Sequence, residues 1–336
     1  MENSFTTNNI AELTPIAAHK RITSIDRLRG IAIFLMVIGG FIGQVKSMPW
    51  LLRHPTDPEA LMTLADLVAP MFIFTIGLTF GLSYNKRKER DGKPAAVQHF
   101  LLRYFALIGF GAAMTAFENI ARDAATRMDW AVFQAIGMSG LILLIFIDLP
   151  TFKRFVIGAV LIILYQFLLT YQFYDIIVTS NHAGVLGSLS WGAMLIFASC
   201  FADLFFKNKV EYLLLLAAFI VAGFITSMFF NPSKLTMSVS FTLISTSVSA
   251  GGFIAVDFIS RFYKRDFDPL TWWGKNPILL YFLNGVVVEF IFGIVMPPVL
   301  WFDAPLWLAI PEAVILAILF TYLAWFLDKK KMFIKI

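Results

Sequence analysis

Long apolar runs broken by short polar stretches give this chain its rhythm. A helix needs about 17–25 mostly apolar residues to cross a hydrocarbon core. Runs of that kind recur at about 30–46, 66–84, 100–118, 131–148, 155–173, 186–206, 211–230, 238–260, 277–296 and 306–326. They are too long and too continuous for the roughly ten-residue alternation of a membrane barrel strand. The pattern therefore predicts an all-α polytopic membrane protein with about ten transmembrane helices. Residues 1–22 are mostly polar and read as a flexible tail, and residues 23–336 read as a single helical domain. No repeat relates the two halves, which counts against the inverted-repeat plan of many secondary transporters.

Composition agrees. Of 336 residues, 59% are hydrophobic and 15% charged, against roughly 45–50% and about 25% in a soluble domain, so no sizeable soluble domain is left over. The net charge of +5 and the pI near 9.2 invite a nucleic-acid reading. The distribution of the charge argues against it. If the N-terminus is cytoplasmic, all of the 27 Lys and Arg except Lys46, Arg53, Arg122, Arg127 and Lys234 fall in inner segments. That bias predicts both termini inside and an even number of spans. The mostly polar opening carries no small-residue cleavage site, so the first apolar run is expected to be an uncleaved anchor. The single cysteine, Cys200, permits no intrachain disulfide and reads as packing. Asn231-Pro232-Ser233 is no glycosylation acceptor, because proline stands in the middle. With the compactness of the chain, this points to a prokaryotic plasma membrane.

Candidate chemistry concentrates between residues 54 and 84. His54 lies in a polar loop on the expected outer side, stiffened by Pro55 and Pro58. Imidazole is the natural general base near neutral pH, and Asp57, Glu59 and Asp66 are each candidates to orient its ring. His19, His99 and His182 read as ordinary solvated histidines. No histidine pair has the i, i+4 spacing of helix-borne metal ligands, so no metal site is expected. Asp66, Arg103, Glu118, Asp203, Asp257 and Glu289 lie in or at the ends of spans, Glu289 the deepest. Such groups either pair to fix helix packing or line a polar path. The hydroxyl-rich run from Ser238 to Ser249 reads mainly as close helix packing.

Several segments, in order, resemble one family. Ser24-Ile25-Asp26-Arg27-Leu28-Arg29-Gly30 is similar to the Ser-x-Asp-x-x-Arg-Gly opening of the heparan-alpha-glucosaminide N-acetyltransferase family of transmembrane acyltransferases. His54 followed by Ala65-Asp66-Leu67-Val68-Ala69-Pro70 resembles its histidine loop and Ala-Asp-Leu-Val-Phe-Pro helix. Val132–Gly137, Ala183–Leu189, Ser233–Thr236, Asn276–Tyr281 and Lys331–Ile336 resemble further segments in the same order, so the likeness runs from about 22 to 336. The resemblance implies that acetyl-CoA binds from the cytoplasmic side and that its acetyl group reaches an amine or hydroxyl, often on a sugar, on the far side. The family's active-site histidine maps onto His54, as general base or transient acetyl carrier, with Asp66 beside it. Arg29, Lys86, Arg103, Lys264 and Lys275, with Asn276, are then the candidates for the CoA end. Asp57, Lys234 and Glu289 are the candidates for the acceptor. The partners are acetyl-CoA, the acceptor and the lipid bilayer, and a homodimer stays open.

Three departures stand out. The spacing from His54 to Asp66 is about two residues longer than in the family, Gly40 stands where the family carries an asparagine, and Ala135 where it carries an arginine. They keep two other readings in view: a transporter of a small acyl or sugar compound, and a catalytically degenerate membrane scaffold.

Overall fold

The computed structural model describes residues 22–121, 130–263, 267–288, 291 and 295–333. The expected tail, except for Ile22, lies outside the described residues, as do Lys264 and Glu289. Among the described residues every regular element is helical. The helices are α1 (Thr23–Ile42), α2 (Val68–Asp91), α3 (Lys93–Ala121), α4 (Val132–Phe146), α5 (Thr151–Tyr171), α6 (Tyr174–Val178), α7 (Gly184–Lys207), α8 (Lys209–Ser227), α9 (Val239–Phe262), α10 (Pro269–Lys275), α11 (Pro277–Val286) and α12 (Leu306–Lys329).

Seven of these, α2, α3, α5, α7, α8, α9 and α12, are long and apolar enough to cross a membrane. The other three expected spans are also helical but differ from that pattern. The first turns of α1 carry Asp26, Arg27 and Arg29. The 15-residue α4 is short. The ten-residue α11 starts at Pro277 and passes at Val287 and Val288 into wider turns.

At the centre, α7 is buried on almost every side and packs on α2, α4, α5, α8 and α9. Its small residues, such as Gly187, Ser190, Gly192, Ala193 and Ala198, let the neighbours approach closely. Towards the rim, α5, α8 and α12 turn large apolar side chains outward, among them Ile163, Phe224 and Ile318, each more than 60% exposed. An apolar surface of that extent suits lipid rather than water. The hydroxyls of α9 serve packing: Thr246, Ser247 and Ser249 donate to carbonyls four residues back at 2.6–2.7 Å.

One interlock sets the geometry of the site. At Gly30 a Cβ would fall 1.8 Å from the Leu270 carbonyl oxygen, and at Gly274 a Cβ would fall 2.0 Å from that of Asp26. Only glycine permits this approach of α1 and α10. Beside it, Arg27 donates from Nε to Asp268 at 2.7 Å and from a terminal nitrogen to the Tyr263 carbonyl at 3.0 Å. Arg27 is thereby used for packing, while Asp26 and Arg29 of the same turns line a cavity. Another tie joins helix ends. Asp148, between α4 and α5, takes Lys88 at 2.7 Å, Lys93 at 2.8 Å and the Tyr84 hydroxyl at 3.1 Å. The two ammonium groups hold its carboxyl down to about 2.

Candidate active site

Thr63-Leu64-Ala65-Asp66 forms the lead-in to α2, with a short 3-10 turn at Ala65–Leu67. The Thr63 backbone N–H donates to Asp66 Oδ2 at 3.0 Å, and the Thr63 hydroxyl oxygen lies 3.3 Å from the same atom. A carboxylate reaching back three residues to a backbone N–H is one half of a capping box. It leaves Oδ1 for the His54 ring, whose Nδ1 lies 2.8 Å away. The loop returns His54 to this point because the Leu64 N–H bonds the Leu51 carbonyl at 3.1 Å and the Thr63 hydroxyl bonds that of Arg53 at 2.9 Å.

Lys234 arrives from the loop between α8 and α9. The Met62 N–H donates to the Pro232 carbonyl at 2.9 Å, and the Asn231 amide donates to that of Glu59, so the two loops are laced together. Lys234 Nζ then lies 3.4 Å from His54 Nδ1 and 3.7 Å from Asp66 Oδ1. An ammonium only donates, and an ionised carboxylate only accepts. The shorter contact assigns the His54 Nδ1 proton to Asp66, which leaves the lone pair on Nε2. Asp66 is 1% exposed and the His54 side chain 43%, so the carboxylate anchors and the ring reaches outward. Loss of hydration and the Lys234 charge lower the His54 pKa, outweighing the opposing pull of Asp66. Burial lowers that of Lys234, with Asp66 acting the other way.

These groups open on a cavity of about 270 Å³ between α1, α2, α3, α4 and α11. Its polar wall is made by Gln44, His54, His182, Lys234 and Asn284. His182 does not behave as a solvated loop residue. It lines the cavity with a buried, unpartnered Nδ1, and its ring stands 6.1 Å from that of Trp191. Asn284 lies against Gly40, where a Cβ would come within 3.3 Å of its Nδ2. A carboxamide therefore sits beside Gly40, supplied by α11 rather than α1.

Towards the other end of the same five helices lies a cavity of about 580 Å³. Arg29, Arg87, Arg103, Lys275 and His99 line it, with Asp26 as the opposing charge. Arg29 reaches Asp26 at 3.4 Å and the Thr79 hydroxyl at 3.3 Å, and Lys275 meets Asp328 at 2.5 Å. The buried Nε of Arg103 has no partner. The two cavities meet at aromatic rings. Val132 faces one and Phe133 the other, and Phe133 packs on Tyr281 and Phe110, with ring centres 5.1 Å apart in each case. From Arg29 to Gly40 along α1 is about 16 Å at 1.5 Å per residue.

Of the residues singled out in the sequence, His54, Asp66 and Lys234 come together, and Arg29, Arg103 and Lys275 share the second cavity. Lys86 is exposed on α2, and its neighbour Arg87 lines the cavity instead. Asn276 is buried and donates to the Met332 carbonyl at 3.0 Å. Asp57 is exposed and caps the Glu59 N–H at 2.9 Å. Arg87, His99, His182 and Asn284 were missed. For Arg87, the signal was the basic run Lys86-Arg87-Lys88-Glu89-Arg90, from which Lys86 was chosen instead. Among the described residues no group of three or more His, Cys, Asp or Glu side chains could hold a metal.

A family model described as heparan-alpha-glucosaminide N-acetyltransferase, catalytic, matches residues 21–188. No curated protein matches the chain. The matched half contains Arg29, His54, Asp66, Arg87, Arg103 and His182, whereas Lys234, Lys275 and Asn284 reach the cavities from beyond it. With the histidine–aspartate pair and both cavity walls drawn largely from the matched segment, the chain belongs to the heparan-alpha-glucosaminide N-acetyltransferase catalytic family.

Proposed function

We propose that the chain moves an acetyl group from cytoplasmic acetyl-CoA, held at the basic cavity, to an amine or hydroxyl of an extracytoplasmic acceptor, a sugar in the simplest case, at His54. Both termini are then cytoplasmic, and the membrane is a plasma membrane. One observation carries this reading: two cavities lie end to end along α1, α2, α3, α4 and α11, one ringed by Arg29, Arg87, Arg103 and Lys275, the other holding His54 on Asp66.

Guanidinium groups suit the phosphates of CoA, because their forked donors match phosphate oxygens. The unpartnered Arg103 Nε fits such a role. At the acceptor end, Asp66 holds the imidazole with its Nε2 lone pair outward, and that lone pair takes the proton of the attacking amine or hydroxyl. The new N–C or O–C bond forms as the thioester C–S bond breaks, and the sulfur leaves as the thiolate. The same lone pair suits a transient acetyl-imidazole. Lys234 keeps the ring neutral until it is needed and offers a cation to the developing oxyanion.

A transporter of a small acyl compound would also use two cavities and an aromatic partition. The buried carboxylate anchoring a histidine favours chemistry over passage. The test is acetyl-CoA binding by detergent-purified protein, wild type against His54→Ala, with CoA release followed in the same samples. The expected result is binding by both and release by the wild type alone. If neither binds, or if the variant keeps full function, the enzyme reading falls and transport takes its place.

A further inference from the structure

Two polar groups in the outer cavity are left over once the histidine–aspartate pair is accounted for. His182 Nδ1 and Asn284 Oδ1 are both buried without a hydrogen-bond partner, and both residues line that cavity. Asn284 is only 5% exposed. Buried polar atoms in folded proteins are nearly always paired, and exceptions call for an explanation. His182 is also held in a costly backbone conformation. Its φ is 53° and that of Ala183 is 63°, a left-handed pair leading into Gly184 and α7. The Trp191 indole N–H donates to the His182 carbonyl at 3.3 Å and helps keep it there. Strain of this kind persists where the surroundings enforce it, and it gathers at ligand sites. On the other wall, Gly40 leaves the space that the Asn284 amide occupies.

We propose that His182 and Asn284 form a binding subsite for hydroxyl groups flanking the reacting amine or hydroxyl of the acceptor; this rests on the acyltransferase reading above. The chemistry follows from the two atoms. Asn284 Oδ1 only accepts, so its partner carries an O–H or N–H. His182 Nδ1 accepts or donates according to tautomer, and a hydroxyl satisfies either. A simple alkylamine spends its nitrogen on the reaction at His54 and leaves both groups orphaned. An amino alcohol or diol does not. The volume of about 270 Å³ fits a single-ring group.

The experiment compares trans-2-aminocyclohexanol with cyclohexylamine, which share a ring and an amine and differ in one hydroxyl. Acetyl transfer from acetyl-CoA is measured with wild type, His182→Gly, Asn284→Leu and Asn284→Asp. Glycine accepts the positive φ at 182, so the first variant removes the ring without disturbing the backbone. The wild type is expected to favour the amino alcohol in kcat/KM by about a hundredfold, about tenfold for each of the two hydrogen bonds. His182→Gly and Asn284→Leu should each cut that preference, read as the ratio of kcat/KM for the two amines, by about tenfold. Asn284→Asp keeps an accepting oxygen and should retain the preference. A wild type that treats both amines alike, or variants that leave its preference intact, overturns the subsite and leaves the acyltransferase reading standing. If the wild type does not turn over acetyl-CoA, the acyltransferase reading fails by itself, and calorimetric binding of the two amines reads the subsite. Hydroxyl-dependent binding erased in both His182→Gly and Asn284→Leu supports it, and equal or absent binding overturns it.

Discussion

The two cavities are built on opposite principles. At the outer one, few groups act: Thr63 holds Asp66 at 3.0 Å and Asp66 holds His54 at 2.8 Å through bonds local in sequence, and Lys234 reaches both from a distant loop, at 3.4 and 3.7 Å. At the inner one, long cations from four separate segments surround a volume about twice as large; Arg29 and Arg87 lie 3.4 Å from Asp26 and Asp91, and Lys275 lies 2.5 Å from Asp328. Proton transfer needs a ring fixed to within a fraction of an ångström, whereas attracting a polyanion needs mainly charge of the right sign. On the proposed acyltransferase reading, the outer end carries the chemistry and the inner end the capture.

Breaking the outer end should therefore be far more costly to turnover than to binding. His54→Ala is expected to lower acetyl transfer by about 10²–10⁴-fold, the usual worth of a positioned general base, with acetyl-CoA affinity unchanged. Asp66→Asn keeps the size of the side chain but frees the ring to turn and to change tautomer, and a loss of about a hundredfold is expected. Single-turnover kinetics at saturating acetyl-CoA measure both. Equal losses in affinity and rate would erase the contrast between the two ends.

The inner end should respond the other way. Arg103→Ala and Arg29→Ala are each expected to weaken acetyl-CoA binding by about tenfold, the worth of a hydrogen bond to a charged group, with little change in kcat at saturation. Calorimetry across a salt series checks this, because the remaining attraction should fade as ionic strength rises. A kcat effect from Arg103→Ala as large as that from His54→Ala would mean that capture and chemistry are not separated.

Most of the helical plan was legible because it depends on local composition. Long apolar runs become helices wherever they occur, and seven of them stand at full length. The pairing of His54 with Asp66 was legible in part, because the two are close in sequence and Thr63-x-x-Asp66 is a local capping signal. The added residues between them are absorbed by a loop laced to residues 231–234, so the longer spacing does not part the pair. Lys234 was singled out, but its contact with His54 depends on the docking of two loops far apart in sequence. His182 was hidden because its polar neighbours imitate a solvated loop, and only the placement of the 181–183 turn on the outer cavity reveals its buried ring nitrogen. Asn284 fills the space beside Gly40 from another helix, a substitution in space that no position-by-position reading could find.

Lys234 tests whether the outer network tunes its base as well as holding it. Its charge lowers the His54 pKa, so the neutral, proton-accepting ring persists to lower pH than an ordinary imidazole would allow. Lys234→Met should raise that pKa. The acid limb of the kcat/KM profile should then move to higher pH, and the rate near neutrality should fall as more of the ring is protonated. A limb that stays in place, or moves to lower pH, would show that the Lys234 charge does not govern His54.

The smallest expected effect separates geometry from bulk charge at the inner end. Lys86 and Arg87 are adjacent and equally cationic, yet only Arg87 lines the cavity, while Lys86 is exposed. If the cations merely raised a diffuse positive potential, either alanine variant would weaken acetyl-CoA binding to the same small degree, and salt would abolish the effect of each. If the cavity wall matters, Arg87→Ala should weaken binding by about fivefold, somewhat less than Arg103→Ala because Arg87 already leans on Asp91 at 3.4 Å and is partly solvated. Lys86→Ala should stay within about twofold of wild type, since an exposed charge off the cavity wall is weakened by the dielectric of water and by salt. Titration of both variants side by side decides it, and equal losses would reduce the inner cavity to a patch of charge with no defined wall.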